Sequence, residues 1–221
     1  MNRIKLVDRQ LPDYSKGEEI FNFVSHIVGG GLSVVALVLC IVVAALHSNA
    51  YGVVASCIYG VCMISLYTMS SIYHGLRKGT AKKVFQIIDH CTIYFMIAGS
   101  YMPVALCSIR EQNTAVGWIL FGVVWVLTAI ATTFTAIDLE KYKKFSMICY
   151  IGMGWCVVFC MKYLYAAIGL AGVMWFVLGG VLYTIGAVIY SFDRKYAHCV
   201  FHVFVVLGSI AHFFAIILYV L

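Results

Sequence analysis

Charged residues are scarce in this sequence of 221 residues. Lys, Arg, Asp and Glu make up 11% of it, whereas hydrophobic residues make up 63%. A soluble domain of this length cannot enclose so much apolar surface in a core of its own. The composition therefore excludes a soluble globular protein and indicates a chain that is solvated mainly by lipid.

Strict alternation of apolar and polar residues, the pattern of membrane β-barrel strands, is also lacking. The apolar residues instead form seven continuous runs, each long enough to cross ~30 Å of hydrocarbon as a helix. Because a helix satisfies its own backbone hydrogen bonds in lipid, we expect an all-α membrane protein with a seven-transmembrane-helix bundle. A short tail, residues 1–20, precedes one transmembrane domain, residues 21–221. The predicted runs are Phe21–Leu46, Tyr51–Tyr73, Val84–Ser108, Ala115–Ile137, Phe145–Tyr165, Gly172–Tyr190 and His198–Leu221.

Basic residues are almost missing from one side of the predicted bundle. Thirteen of the 15 Lys and Arg residues fall in the tail or in the loops after the second, fourth and sixth runs. The positive-inside rule therefore predicts a multi-pass protein of the cell membrane with a cytoplasmic N-terminus and an outside C-terminus. The net charge of +6 mostly reflects this bias, so we expect no nucleic-acid partner. The thirteen are Arg3, Lys5, Arg9, Lys16, Arg77, Lys78, Lys82, Lys83, Lys141, Lys143, Lys144, Arg194 and Lys195.

Neither a cleaved signal peptide nor a disulfide bond is expected from the sequence. The first run is about 26 residues long and follows a 20-residue polar tail, unlike the ~7–15-residue apolar core of a cleaved signal peptide. The nine cysteines lie mostly inside the runs, where they behave as small apolar residues. Their number is odd, and we expect no disulfides.

Ionisable side chains inside a membrane span are costly, so each is a candidate functional residue. His74 ends the second run, Asp89 lies about five residues into the third, and His198 and His202 begin the seventh. At ~1.5 Å per residue, all four lie within roughly 5–10 Å of the predicted cytoplasmic boundary. Four candidate residues from three helices thus fall in one layer.

The chemistry of this layer favours a metal site. His198 and His202 are four residues apart on one helix face, as in zinc-binding H-E-x-x-H helices. With His74 they would supply three neutral nitrogen ligands and leave a fourth position for water, as in catalytic zinc sites. Asp89 could orient that water or take its proton. Ser70, four residues before His74 on the same face, could hydrogen-bond the site or a bound carbonyl.

These histidines also permit interpretations without a metal. A lone histidine at a helix end is usually an interfacial hydrogen-bonding residue, and the H-x-x-x-H pair alone does not establish a metal site. His212 lies ~15 Å deeper than His202, too far for the same ion, and is interpreted as a packing or pore-lining residue. His90 is turned ~100° from Asp89 and is expected to face another neighbour.

The first helix begins with polar residues that permit two interpretations. Glu19, Asn22 and His26 share one helix stripe, and Ser25 lies beside it. Helix capping and interfacial solvation explain them adequately. The alternative is that these four residues contact the metal ligands or a lipid headgroup.

Four segments together resemble the haemolysin III family. They are EEIFNFVSH (18–26), SSIYH (70–74), IIDHCTIYFMIAGSYMP (87–103) and HCVFHVFVVLGSIAHF (198–213). That family belongs to the superfamily of progestin and adipoQ receptors, which is related to the alkaline ceramidases. The resemblance extends over essentially the whole chain, with the motifs in the right order and spacing.

The resemblance implies a seven-helix bundle with zinc near the cytoplasmic face. Its S-x-x-x-H motif falls on Ser70 and His74, its aspartate on Asp89, and its H-x-x-x-H pair on His198 and His202. The related receptors carry their metal on three histidines, with the aspartate reaching it through water. The long N-terminal domain of the eukaryotic receptors has no counterpart in this sequence, so a hormone-receptor role is not expected.

Three functions remain as hypotheses. The first is a zinc-dependent, ceramidase-like hydrolase of a lipid amide or ester, with the lipid entering sideways from the membrane. The second is a membrane-state regulator or receptor with structural zinc. The third, a haemolytic pore-forming protein, is disfavoured because the chain has the features of a resident membrane protein. The first two hypotheses need the same metal layer, so the sequence does not separate them. We expect a zinc protein of membrane lipid homeostasis with possible hydrolase chemistry.

Overall fold

The computed structural model describes residues 4–192 and 194–221, in which every regular element is helical. Six helical segments are long and apolar enough to cross a membrane, which confirms an all-α membrane protein. The longer helices are α1 (Lys16–His47), α2 (Ala50–Gly75), α3 (Thr80–Pro103), α4 (Thr114–Ile137), α5 (Lys143–Gly154), α6 (Met161–Tyr190) and α7 (Ala197–Tyr219).

The fifth and sixth predicted runs both fall in one long helical segment, which comprises α5 and α6. This segment, Lys143–Tyr190, has 48 residues, or about 72 Å if it were straight. It is broken by a 3₁₀ turn at Cys156–Cys160 and by Gly169, whose φ of 64° and ψ of −176° are not helical. Glycine adopts such a conformation without steric cost. Two membrane crossings by this segment, and hence seven in all, stay a prediction.

The first helix begins earlier than its apolar run. Ser15 and Glu18 form a capping box, in which each side chain bonds the backbone N–H of the other residue. This cap starts α1 at Lys16, five residues before the predicted Phe21. Oε1 of Glu18 also accepts the backbone N–H of Tyr196 at 2.8 Å. The start of α1 is therefore tied to the segment that leads into α7.

The helices pack mainly in chain order, and α7 returns to pack on α1. Helices α1 and α2 approach closely at Gly29, where an added Cβ would lie 2.5 Å from the Tyr67 ring. The segment Thr80–Gln112 is the most deeply buried of the six. It consists of α3, a π-helical turn at Val104–Ile109 and one last helical turn. This arrangement brings one end of α1, α2, α3 and α7 together.

The basic segments meet at that same end of the bundle. The N–H of Ile4 donates to Asp138 in the loop after α4, at 3.3 Å. Lys83, at the start of α3, donates to the carbonyl oxygen of Val7 at 2.6 Å. The tail therefore lies across the loops that carry most of the Lys and Arg residues. Charge asymmetry between the two ends is thus present in the fold, and the cytoplasmic assignment of this end stays a prediction.

Candidate metal centre

Three histidine side chains meet between α2 and α7 at the basic end of the bundle. Nε2 of His198 lies 3.2 Å from Nε2 of His74 and 2.9 Å from Nε2 of His202. All three residues are buried, and their ligand nitrogens lie within 4.8 Å of one another. In the described part of the chain, these histidines form the one group of His, Cys, Asp or Glu that can hold a metal ion.

The spacing of these nitrogens fits a shared cation. Two nitrogens that lie 2.0–2.1 Å from a tetrahedral zinc are about 3.3 Å apart, close to the two measured distances. Lone pairs of neutral imidazoles directed at one point repel each other unless a proton or cation lies between them. The residues present therefore fit a metal ion held by three imidazoles.

Hydrogen bonds hold two of the three rings in the tautomer that a metal requires. Nδ1–H of His74 donates to Oε2 of Glu19 at 2.7 Å. Oγ of Ser25 donates to the carbonyl oxygen of Asn22 at 3.0 Å and lies 3.3 Å from Nδ1 of His202, from which it can accept. With the proton on Nδ1, each ring directs the Nε2 lone pair towards the centre.

All four α1 residues singled out from the sequence lie on the metal side of that helix. Glu19 and Ser25 contact the ligand rings of His74 and His202. The ring of His26 stacks on the ring of His202, with centroids 3.6 Å apart and an interplanar angle of 9°. The polar side-chain atoms of His26 and Asn22 are buried and have no hydrogen-bond partner among the described residues. These contacts favour the interpretation in which the four residues contact the metal ligands, since the cap of α1 is formed by Ser15 and Glu18.

Asp89 and Ser70 line a cavity beside the histidines and do not belong to the group of ligand nitrogens. Oγ of Ser70 is buried without a hydrogen-bond partner among the described residues. Oδ2 of Asp89 lies 3.8 Å from Nδ1 of His90, too far for a hydrogen bond. A hydroxyl and a carboxylate therefore lie in the cavity wall beside the histidines.

Two further histidines, His90 and His212, are partly buried and are held by other partners. His90 donates from Nδ1 to the carbonyl oxygen of Gln86 at 2.8 Å and accepts at Nε2 from Tyr190, 3.3 Å away. His212 donates from Nε2 to the carbonyl oxygen of Phe176 at 3.2 Å. Both rings line the cavity, and neither belongs to the group of ligand nitrogens.

The cavity is elongated and mostly apolar. It has a volume of about 150 Å³, and its wall is built mainly from α3, α5, α6 and α7. His198 and His212 both line it, although they are about 21 Å apart along α7. Val205 contributes apolar wall between these depths, and Phe176 lies against His212 at the deep end. The cavity thus runs from the histidine layer deep into the bundle.

Two residues at the centre, Lys82 and Tyr14, were not predicted from the sequence. Nζ of Lys82 lies 2.8 Å from Oε1 of Glu19, although the sequence indicated only a loop charge. Tyr14, in the tail, packs on His198 and His74 with ring centroids 5.1 and 5.8 Å apart. The one available signal is the seven-residue spacing of Lys82 and Asp89, which places both on one face of α3.

The motifs and the geometry agree with comparisons to known proteins. A family model described as "Haemolysin-III related" matches residues 14–213, which include every residue of the metal centre. The chain belongs to the haemolysin III family. Hemolysin-3 of Bacillus cereus is 36% identical over 205 residues, or 92% of each chain. The Hemolysin-3 homolog of Bacillus subtilis (strain 168) is 35% identical over 203 residues, or 91% of this chain and 94% of the relative.

A more distant relative connects this haemolysin III family member to animal proteins. The human monocyte to macrophage differentiation factor is 26% identical over 178 residues, covering 77% of this chain and 72% of its own. That similarity supports the superfamily of progestin and adipoQ receptors. No solved structure matches the chain. The recognition of the family from four short segments is confirmed, as is a multi-pass membrane protein.

Proposed function

We propose that this haemolysin III family protein holds zinc on His74, His198 and His202 and hydrolyses an amide or ester bond of a membrane lipid. The observation that carries the proposal is the position of three buried imidazoles at one end of an elongated apolar cavity. Such a cavity would take up an acyl chain and place the polar end of the lipid near the histidines. The protein would thereby act in membrane lipid homeostasis, with its metal layer on the cytoplasmic side.

Zinc is the metal that suits these donors best. Three neutral nitrogens without a thiolate are the usual ligands of a catalytic zinc that keeps one position open. Glu19 behind His74 supplies the carboxylate that commonly orients such a ligand. When bound, the ion would act as a Lewis acid that lowers the pKa of water and polarises a carbonyl.

The chain's own residues would perform the remaining steps. Asp89 would accept the proton of the attacking water at a carboxylate oxygen and return it to the leaving group. The hydroxyl of Ser70 would donate a hydrogen bond to the oxygen of the lipid carbonyl. The apolar wall would exclude bulk water from the acyl chain, which would enter sideways from the membrane.

The alternative is a non-enzymatic regulator or receptor with structural zinc. The ligands belong to two helices, His74 to α2 and the other two to α7. An ion shared by these helices would hold them together whether or not any reaction followed. Both proposals need the same ion, so the role of Asp89 separates them.

Mass spectrometry of membrane lipids from expressing cells tests the proposed hydrolase. We expect wild type to lower one class of amide- or ester-linked lipid and to raise the matching free fatty acid, since the bond is cut by water. Cells that express His202→Ala should have the same lipid profile as cells that carry an empty vector. His47→Ala, which alters an exposed histidine at the far end of α1, should behave as wild type. A full wild-type effect in the His202→Ala cells would overturn the proposal.

A further inference from the structure

Lys82 is a buried cation with four oxygen atoms around its ammonium group. It is only 3% exposed. Nζ donates to the carbonyl oxygens of Tyr73, His74 and Leu76 at 3.0, 3.4 and 3.0 Å. These carbonyls belong to the last turn of α2 and the residue after it, where helical oxygens lack backbone partners. Lys82 therefore fixes the turn of α2 that carries His74.

The fourth oxygen connects Lys82 to the metal centre. Its Nζ lies 2.8 Å from Oε1 of Glu19, and the other oxygen of that carboxylate accepts Nδ1–H of His74 at 2.7 Å. A cation on α3, a carboxylate on α1 and an imidazole on α2 thus form one continuous chain of contacts. Because both carboxylate oxygens are occupied, the plane of Glu19 has little freedom to turn away from His74.

We infer that Lys82 is a positioning residue of the metal centre, acting on His74 through Glu19. This inference rests on the proposed metal site and adds a residue that none of the four family segments contains. With Lys82 present, the carboxylate is held in the orientation that receives Nδ1–H and leaves Nε2 for the ion. Removal of partners that orient a metal ligand typically weakens binding 10- to 100-fold.

The neighbouring lysine provides a matched control. Lys83 has the same charge and lies one position along α3, and its Nζ donates to the carbonyl oxygen of Val7 in the tail. A general effect of lost positive charge at this end of the bundle would appear equally in Lys82→Met and Lys83→Met. A positioning effect would appear only in the first.

Lys82 bonds both the carbonyls at the end of α2 and the carboxylate of Glu19. A double-mutant cycle distinguishes the effects of these two contacts on zinc binding. Zinc affinity is measured by chelator competition on purified full-length wild type, Lys82→Met, Glu19→Gln and the double variant. We expect Lys82→Met to weaken zinc binding roughly 10- to 100-fold in the wild-type background. In the Glu19→Gln background, the same change should weaken it by less than about threefold, because the connecting carboxylate is already altered.

Lys82→Gln serves the cycle as a second substitution if the methionine variant does not fold. Its side chain is polar but carries no charge for Glu19, so the same loss of affinity is expected. Equal losses in both backgrounds, or wild-type affinity in a folded Lys82 variant, would overturn the positioning role while wild type still binds zinc. Absence of zinc binding in wild type itself would instead overturn the proposed centre, and the role of Lys82 with it.

Discussion

The double variant His198→Ala, His202→Ala is expected to lose its bound zinc, from about one ion per chain in wild type to none. Each substitution removes one of the three ligand nitrogens, of which Nε2 of His198 lies 3.2 Å from that of His74 and 2.9 Å from that of His202. The remaining His74 is a single ligand, and a single imidazole does not retain zinc against a chelator. The metal content of purified protein, measured by inductively coupled plasma mass spectrometry, checks this result.

His47→Ala is the control for the loss of a histidine as such, because His47 is exposed and lies outside the group of ligand nitrogens. It should retain the full metal content. Circular dichroism of both variants must show the helical signal of wild type, so that loss of metal is not loss of fold. One zinc per chain in the folded double variant would show that the ion is held by other residues.

The second large effect is expected for Asp89→Asn, which separates an enzyme from a structural zinc protein. The amide nearly preserves the size of the side chain and its hydrogen bonding but cannot take a proton. Because Asp89 lies outside the group of ligand nitrogens, zinc and fold should be retained. The rate of hydrolysis should fall by ~10²–10⁴, the usual loss for a missing general base. The change in cellular lipids that wild type causes should be lost with it.

The control for this variant is Asp13→Asn, since Asp13 is an exposed carboxylate of the tail that pairs with Lys78. Its lipid profile should match that of wild type. Retained zinc with a full wild-type lipid effect in Asp89→Asn would remove the catalytic role of Asp89. Loss of zinc and of helical signal together would favour the structural alternative.

Much of this architecture follows from physical rules that need only local sequence. Long apolar runs require helices in lipid, and the structure has six segments that satisfy this requirement. The common height of His74, His198 and His202 follows from the rise per residue, which converts sequence position into height within a helix. Height is informative here since the basic loops identify one end of every helix.

Contacts that depend on rotation and packing could not be predicted in the same way. Lys82 and Lys83 are indistinguishable by composition, and only the packing of α3 on α2 buries the first. Tyr14 belongs to a polar tail whose course over the histidines is set by distant loops. The break at Gly169 within one long helical segment likewise depends on a single backbone conformation, which an apolar run does not specify.

Release of fatty acid from vesicles tests the central claim most directly. Purified protein is reconstituted into vesicles made from the total membrane lipid of the expressing cells, and free fatty acid is measured over time. We predict release by the zinc-loaded protein, none above protein-free vesicles after zinc is stripped, and recovery when zinc is restored. Zinc-loaded protein that releases no more fatty acid than protein-free vesicles, or stripped protein that releases as much as loaded protein, would contradict a zinc-dependent lipid hydrolase.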